Sequence, residues 1–266
     1  MPQRARHVRG VTLEQFDAWK ALITAGEPVS LWQRFYVYFY QAFIYKDRWQ
    51  QYLNGVKTTL YVTAIALLIG ICLGLIVAVV RTAHDQQRPG HRNIVLGFLN
   101  FIFQIYVTVI RGTPMMVQLM IMGFVIFSSS KDFAMVGALT LGINSGAYTS
   151  EIIRGGLMSV DAGQMEAGRS LGLNYTDTMR FIIVPQAVKA ILPSLGNEFI
   201  VLLKDTSLIS VIGGKELIYA ARGVISRTYE AMFPFLGAAL IYLVLVMVFT
   251  WLLGIFERRL RASDRR

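Results

Sequence analysis

The chain has 266 residues, 55% of them hydrophobic and only 16% charged, where soluble domains carry about a quarter charged residues. That balance excludes an ordinary water-soluble domain, and the net charge of +10 does not indicate nucleic-acid binding, because the basic residues cluster beside apolar runs. The single cysteine, Cys72, excludes an intrachain disulfide, and His7, His84 and His91 lack metal-ligand spacing, so neither a metal nor a cofactor is expected on this chain.

Residues 1–50 read as a charged N-terminal tail. No signal peptide is legible, because no apolar core with a small-residue cleavage site follows Arg4, Arg6 and Arg9. Within the tail, the aromatic run LWQRFYVYFYQAFIY (Leu31–Tyr45) is too short to cross a bilayer and is interrupted by Arg34. It reads as an interfacial helix with Trp and Tyr rings at headgroup depth, or else as a soluble tail packing aromatics on a bundle.

Thr58 to Val80 carries no charge and is long enough to span. Its Gly70 and Gly74 form a pair four residues apart that would admit a neighbouring helix. After a basic loop at 81–92, residues 93–130 contain two apolar stretches separated by Arg111-Gly112-Thr113-Pro114. Further spans are expected at Ala134–Ile153, Leu192–Ile212 and Met232–Phe256, followed by a basic tail at 257–266. The positive-inside rule places the loop at 81–92 and the basic tail on one side, so an even number of crossings must separate them. Residues 93–130 then cross once, with a proline-induced break at Pro114. The result is an all-α integral membrane chain of about five transmembrane helices plus the interfacial helix, with its N-terminus outside. Against this stand seven Lys or Arg within residues 1–50; a six-span version with the aromatic run crossing is the alternative.

Charges at membrane depth are costly and so are candidates for function. Lys204 and Asp205 fall in the middle of the fourth span. Asp205 could face a translocation path and attract an ammonium or guanidinium group, or both residues could be structural ion-pair partners. On the third span Asn144, Tyr148 and Glu151 share one helical face. That face could line a polar cavity, or it could be a helix interface in which Gly142 and Gly146 allow close approach and Asn144 supplies a hydrogen bond. Glu198, near the inner end of the fourth span, reads as a gate or salt-bridge residue.

Between the third and fourth spans runs a polar island, DAGQMEAGRSLGLNYTDTMRFIIVPQAVKAILP (Asp161–Pro193). A short helix is expected from Gln164 to Leu171, stopped at Gly172, with Pro185 and Pro193 breaking the chain as it returns to the membrane. The order Glu166, Ala167, Gly168, then Gly172, Ile182, Val184 and Pro185 resembles the cytoplasmic coupling loop of ABC importer permeases. Gly168 and Val184 depart from that family's usual Ala and Leu. The flanking segments LGINSGAYTSEIIRGGLMSVDAGQ, LPSLGNEFIVLLKDTSLISVIG and RGTP are similar to the polar amino-acid permease branch, and the likeness runs from about Tyr52 to Phe256.

The resemblance implies a type I ABC-importer transmembrane domain at 51–256, with its coupling loop at 160–190, in a bacterial inner membrane. It implies as partners two ABC ATPase subunits, which would bind ATP and Mg, a second permease subunit, identical or homologous, and an extracellular solute-binding protein that delivers an amino acid. Glu166, Ala167, Gly168, Gly172 and Pro185 would couple to the ATPase, Glu166 pairing with a basic residue there. The bland alternative for Glu166 is an ordinary solvated helix charge. No phosphate-binding loop is present, since Gly213-Gly214-Lys215 lacks its leading glycine and is followed by Glu216. Two other classes remain: an integral-membrane enzyme using Asp205 and Glu151, and an ion-driven transporter, which would show inverted repeats.

Overall fold

The computed structural model describes residues 11–87 and 93–263, the side chains of 261–263 excepted. Arg4, Arg6, His7, Arg9, Arg88, His91, Arg92, Arg265 and Arg266 therefore lie outside the described residues.

Local signals start the first helices. Thr12 and Ser30 each form a capping box, with Gln15 and Gln33 respectively, and open α1 (Leu13–Thr24) and α2 (Leu31–Phe39). A π turn (Tyr40–Ile44) continues α2. Phe16, Val37 and Tyr40 join the two helices in a small core of their own. The hairpin leans on the bundle through Phe35 and Tyr38 against Phe233, and Phe43 against Tyr52. Leu31 and Trp32 remain 86% and 64% exposed.

The first span is longer than its uncharged core: α3 runs Trp49–Asp85. Next, α4 (Ile94–Gly112) stops where Thr113 turns extended, and α5 (Met115–Ile121) restarts after Pro114 and ends in a π turn (Met122–Ile126). The break expected at Pro114 is thus present. Gln118 donates from Nε2 to the Ile110 carbonyl at 2.8 Å and to Thr113 Oγ1 at 2.8 Å, which satisfies a carbonyl that the interrupted helix leaves without its own partner.

Asp132 caps α6 (Phe133–Met158) by accepting from Ala134 and Met135. The polar island becomes α7 (Ala162–Ser170), α8 (Tyr175–Thr178) and a π turn (Met179–Ile183) that runs directly into α9 (Val184–Asp205). Here the proline reading needs correction. Pro185 sits in the first turn of α9, where a missing N–H costs little, and Pro193 lies inside the helix, so the chain stays helical through both. The widened π turn absorbs the change of register just before Pro185. A 3₁₀ segment (Thr206–Ile212), α10 (Leu217–Thr228) and α11 (Met232–Ser263) complete the chain.

Among the described residues, α3, α4 and α11 are long and apolar enough to cross a membrane. The helices α6 and α9 are more polar because they sit centrally. The α3–α6 seam is built from small residues: a Cβ on Gly70 would lie 2.7 Å from Ser145 Oγ, one on Gly74 2.7 Å from Thr149 Cβ, and one on Gly142 2.6 Å from Ile69 Cβ. Glycine is required there by the close approach itself. These contacts keep nearly constant register, so α3 and α6 run parallel. The chain must therefore return between them through α4 and α5, and Gly123 meets Ile212 while Gly137 meets Ile209 at the far end.

Candidate functional site

The sequence candidates separate into two regions at different depths. At one end, α7 stands clear of the bundle. Asp161 caps it through Gly163 N (2.7 Å), and Gly172 ends it in the left-handed region (φ 82°). Leu173 N closes back on the Gly168 carbonyl at 3.1 Å and Gly172 N on that of Arg169 at 3.0 Å, a C-terminal motif that fixes the stop. Glu166 and Ala167 are exposed, whereas Gly168 is buried. A Cβ on Gly168 would come within 2.5 Å of Thr178 Cγ2 and 2.9 Å of its Oγ1. The Gly that departs from the family's Ala is thus the point where α7 rests on α8. The Tyr175 hydroxyl donates to Gln86 Oε1 at the end of α3, tying this unit to the first long helix. Pro185 is exposed and does not touch α7 through any described hydrogen bond.

Gly168→Ala should therefore lower uptake several-fold, because the new methyl overpacks a contact at a typical cost of about 1–3 kcal/mol. Adding Thr178→Ala removes both clashing atoms and should restore most of the activity; transport assays on the single and double variants check this.

Near that same end Glu151 is held by Arg81, and Arg154 completes a cluster by reaching Asp85 at 3.2 Å and Glu151 at 3.9 Å. Glu151 is thereby committed to ion pairs, unlike Asn144 and Tyr148 on the same face of α6. Those two meet the α4–α5 elbow: Asn144 Nδ2 donates to Gln118 Oε1 at 3.0 Å, and the Arg111 guanidinium lies 5.2 Å from the Tyr148 ring centroid. Gly142 and Gly146 serve the α3 interface on the other side of α6.

Glu198 is also corrected. It lies in the interior of α9, is only 9% exposed, and accepts a hydrogen bond from Ser145 Oγ at 2.7 Å, with no ion pair among the described residues. Asp205 is the last residue of α9 and half-buried, while Lys204 is exposed. Glu198 and Asp205 are seven residues apart, two turns on one face, and close enough to act on each other electrostatically. Glu198 and Asp205 thus share one face of α9, whereas Glu151 is engaged with Arg81 toward the other end of the bundle. Ser145 belongs to the polar, small-residue patch of the third span, and Gln118 is the partner that residue spacing missed; its one available signal is being the lone polar side chain in an otherwise apolar stretch from 114 to 127.

A helical bundle with a parallel, glycine-lined α3–α6 seam, buried carboxylates and one short polar helix projecting from its end defines the membrane-embedded permease class of ABC importers. Residues 70–262 match the family described as binding-protein-dependent transport system inner membrane component. The chain belongs to that family. It is 34% identical over 213 residues to the glutamine transport system permease protein of Escherichia coli strain K12, covering 79% of this chain and 92% of that one. A relative in Rickettsia typhi is 37% identical over 212 residues, covering 78% and 92%. Among solved structures, an amino acid ABC transporter crystallised with histidines superposes with a TM-score of 0.71 at 40% identity, over 79% of this chain and 94% of that one. The inward-facing methionine ABC transporter MetNI shares the fold, with a TM-score of 0.66 at 20% identity, over 81% and 98%. The chain is a transport subunit and not an enzyme; ATP hydrolysis in such importers belongs to separate ATPase subunits.

Proposed function

We propose that this chain is the permease of an ATP-driven importer for polar amino acids in a bacterial inner membrane. The observation that carries the reading is α7: a capped helix with Glu166 and Ala167 exposed and Gly168 locked against Thr178. Such a helix can receive force at Glu166 and pass it to α8 and α9 without bending. The chain crosses five times with its N-terminus outside, and α7 faces the cytoplasm. Two ATPase subunits carrying Mg-ATP dock on the α7 helices of a permease pair, and a solute-binding protein delivers the amino acid from outside. That substrate class is supported by the relatives' names. Asp205, at the end of α9, receives the ammonium or guanidinium group, while Asn144 and Tyr148 become available when the elbow at Pro114 moves.

A single cysteine placed at Gln164, with exposed Cys72 replaced by alanine, tests the orientation. A membrane-impermeant maleimide should label it in inside-out vesicles and not in intact cells. Labelling of intact cells would end the reading, because α7 would then face away from any ATPase.

A further inference from the structure

At the end of the bundle opposite α7, a cavity of about 740 Å³ opens between α3, the 3₁₀ segment and α10. That size lies within the roughly 300–1,000 Å³ of small-molecule sites. Its wall carries three cations, Lys215, Arg222 and Arg227, and one carboxylate, Glu216. The carboxylate makes no ion pair with any of them. Glu216 is fully buried as the N-cap of α10, where it accepts from Ile218 N at 2.6 Å, Tyr219 N at 2.7 Å and the Tyr242 hydroxyl at 3.0 Å. The three cations are exposed and make no ion pair among the described residues; Arg222 reaches only the Ser210 carbonyl, at 3.5 Å. A further positive charge stands behind them. Arg48 is buried, its guanidinium donates to the Gln41 carbonyl at 2.5 Å, and it lies near enough to Arg227 for the two like charges to repel.

Position adds direction. Ser210 lines the cavity and follows Asp205 by five residues of 3₁₀ helix, about 10 Å at roughly 2 Å per residue. The cations of the cavity wall are thus separated from Asp205 by the length of that segment. We propose that this cavity binds the carboxylate of the incoming amino acid at Lys215, Arg222 and Arg227, leaving its cationic group directed toward Asp205. The proposal rests on the amino-acid reading above. The hairpin of α1 and α2, which lies outside the matched family region, packs beside this mouth through Arg48 and Tyr52.

The test uses the permease assembled with its ATPases, in lipid nanodiscs without binding protein for binding and in proteoliposomes with the binding protein for uptake, and radiolabelled L-glutamine, L-arginine and L-histidine as probes. In the triple variant Lys215→Gln, Arg222→Gln, Arg227→Gln, affinity for the best-bound probe should fall at least tenfold. The α-amide of that amino acid should bind the wild-type complex as weakly as the acid binds the variant, and Arg222→Lys with Arg227→Lys should retain most of the affinity. Unchanged affinity in the triple variant overturns the proposal. If that affinity is unchanged while stimulation by the liganded binding protein weakens, the cations serve protein docking and the proposal is equally overturned. Uptake of a probe without measurable binding to the wild-type complex overturns it as well. A wild-type complex that neither binds nor, with its binding protein, takes up any amino acid would overturn the amino-acid reading itself.

Discussion

Glu166→Lys should reduce uptake by about a hundredfold while leaving membrane insertion and the thermal stability of the permease unchanged. Glu166 is exposed and has no structural duty in the bundle: α7 is held by its Asp161 cap, by the Gly172 stop and by the seat of Gly168 on Thr178. Reversal of this charge therefore acts only where a partner stands opposite. A reversed charge across a docked interface costs on the order of 3 kcal/mol, and about 1.4 kcal/mol is a factor of ten. The neutral Glu166→Gln should lose about tenfold, since it removes attraction without adding repulsion. Co-purification of the ATPase with the permease should fall in the same order. Full transport by the lysine variant would show that Glu166 is only a solvated charge and that force enters the bundle elsewhere.

What could be read in advance follows a physical division. Apolar runs and helix caps are local, so the long helices, the break at Pro114 and the stop at Gly172 stand in the sequence as they do in the structure. The seam glycines were legible for the same reason, because spacing along one helix determines which face they share. Partners across helices carry no such mark. Ser145 and Glu198 are 53 positions apart, and Arg81 and Glu151 are 70 apart; no pattern along the chain joins them. Glu198 therefore reads from the chain as an end residue although it lies inside α9, and the ion pair of Glu151 with Arg81 has no mark in the sequence. Pro185 and Pro193 misled because a proline was equated with an interruption, whereas a first-turn position and a preceding π turn accommodate it. Glu216 shows a further kind of miss. Beside two glycines and a lysine it drew attention only as a failed phosphate loop, yet in the fold it caps α10 and reaches Tyr242 on α11.

Gly70→Val should strongly destabilise the bundle core, because it acts on two contacts at once. Even the first carbon of the new side chain would sit 2.7 Å from Ser145 Oγ and 2.9 Å from its Cβ, so α3 and α6 must separate or Ser145 must turn away. Overpacking of this kind costs about 1–3 kcal/mol. Turning Ser145 away removes the hydrogen bond that Glu198 accepts at 2.7 Å, and a buried acceptor stripped of its donor costs about 1–3 kcal/mol more. The expected loss is therefore about 2–6 kcal/mol, measured as a lowered unfolding temperature of the detergent-solubilised permease. Ser145→Ala should show only the second part, and Gly70→Val with Ser145→Gly should recover part of the first by making room while still leaving Glu198 without its donor. Those effects are then non-additive, since the two positions share one contact. If Gly70→Val and Ser145→Gly instead add independently, the α3–α6 seam is loose enough to absorb a side chain and Glu198 does not depend on it. A transporter whose central helices were that loosely joined could not carry movement from Glu166 at one end of the bundle to Asp205 near the other.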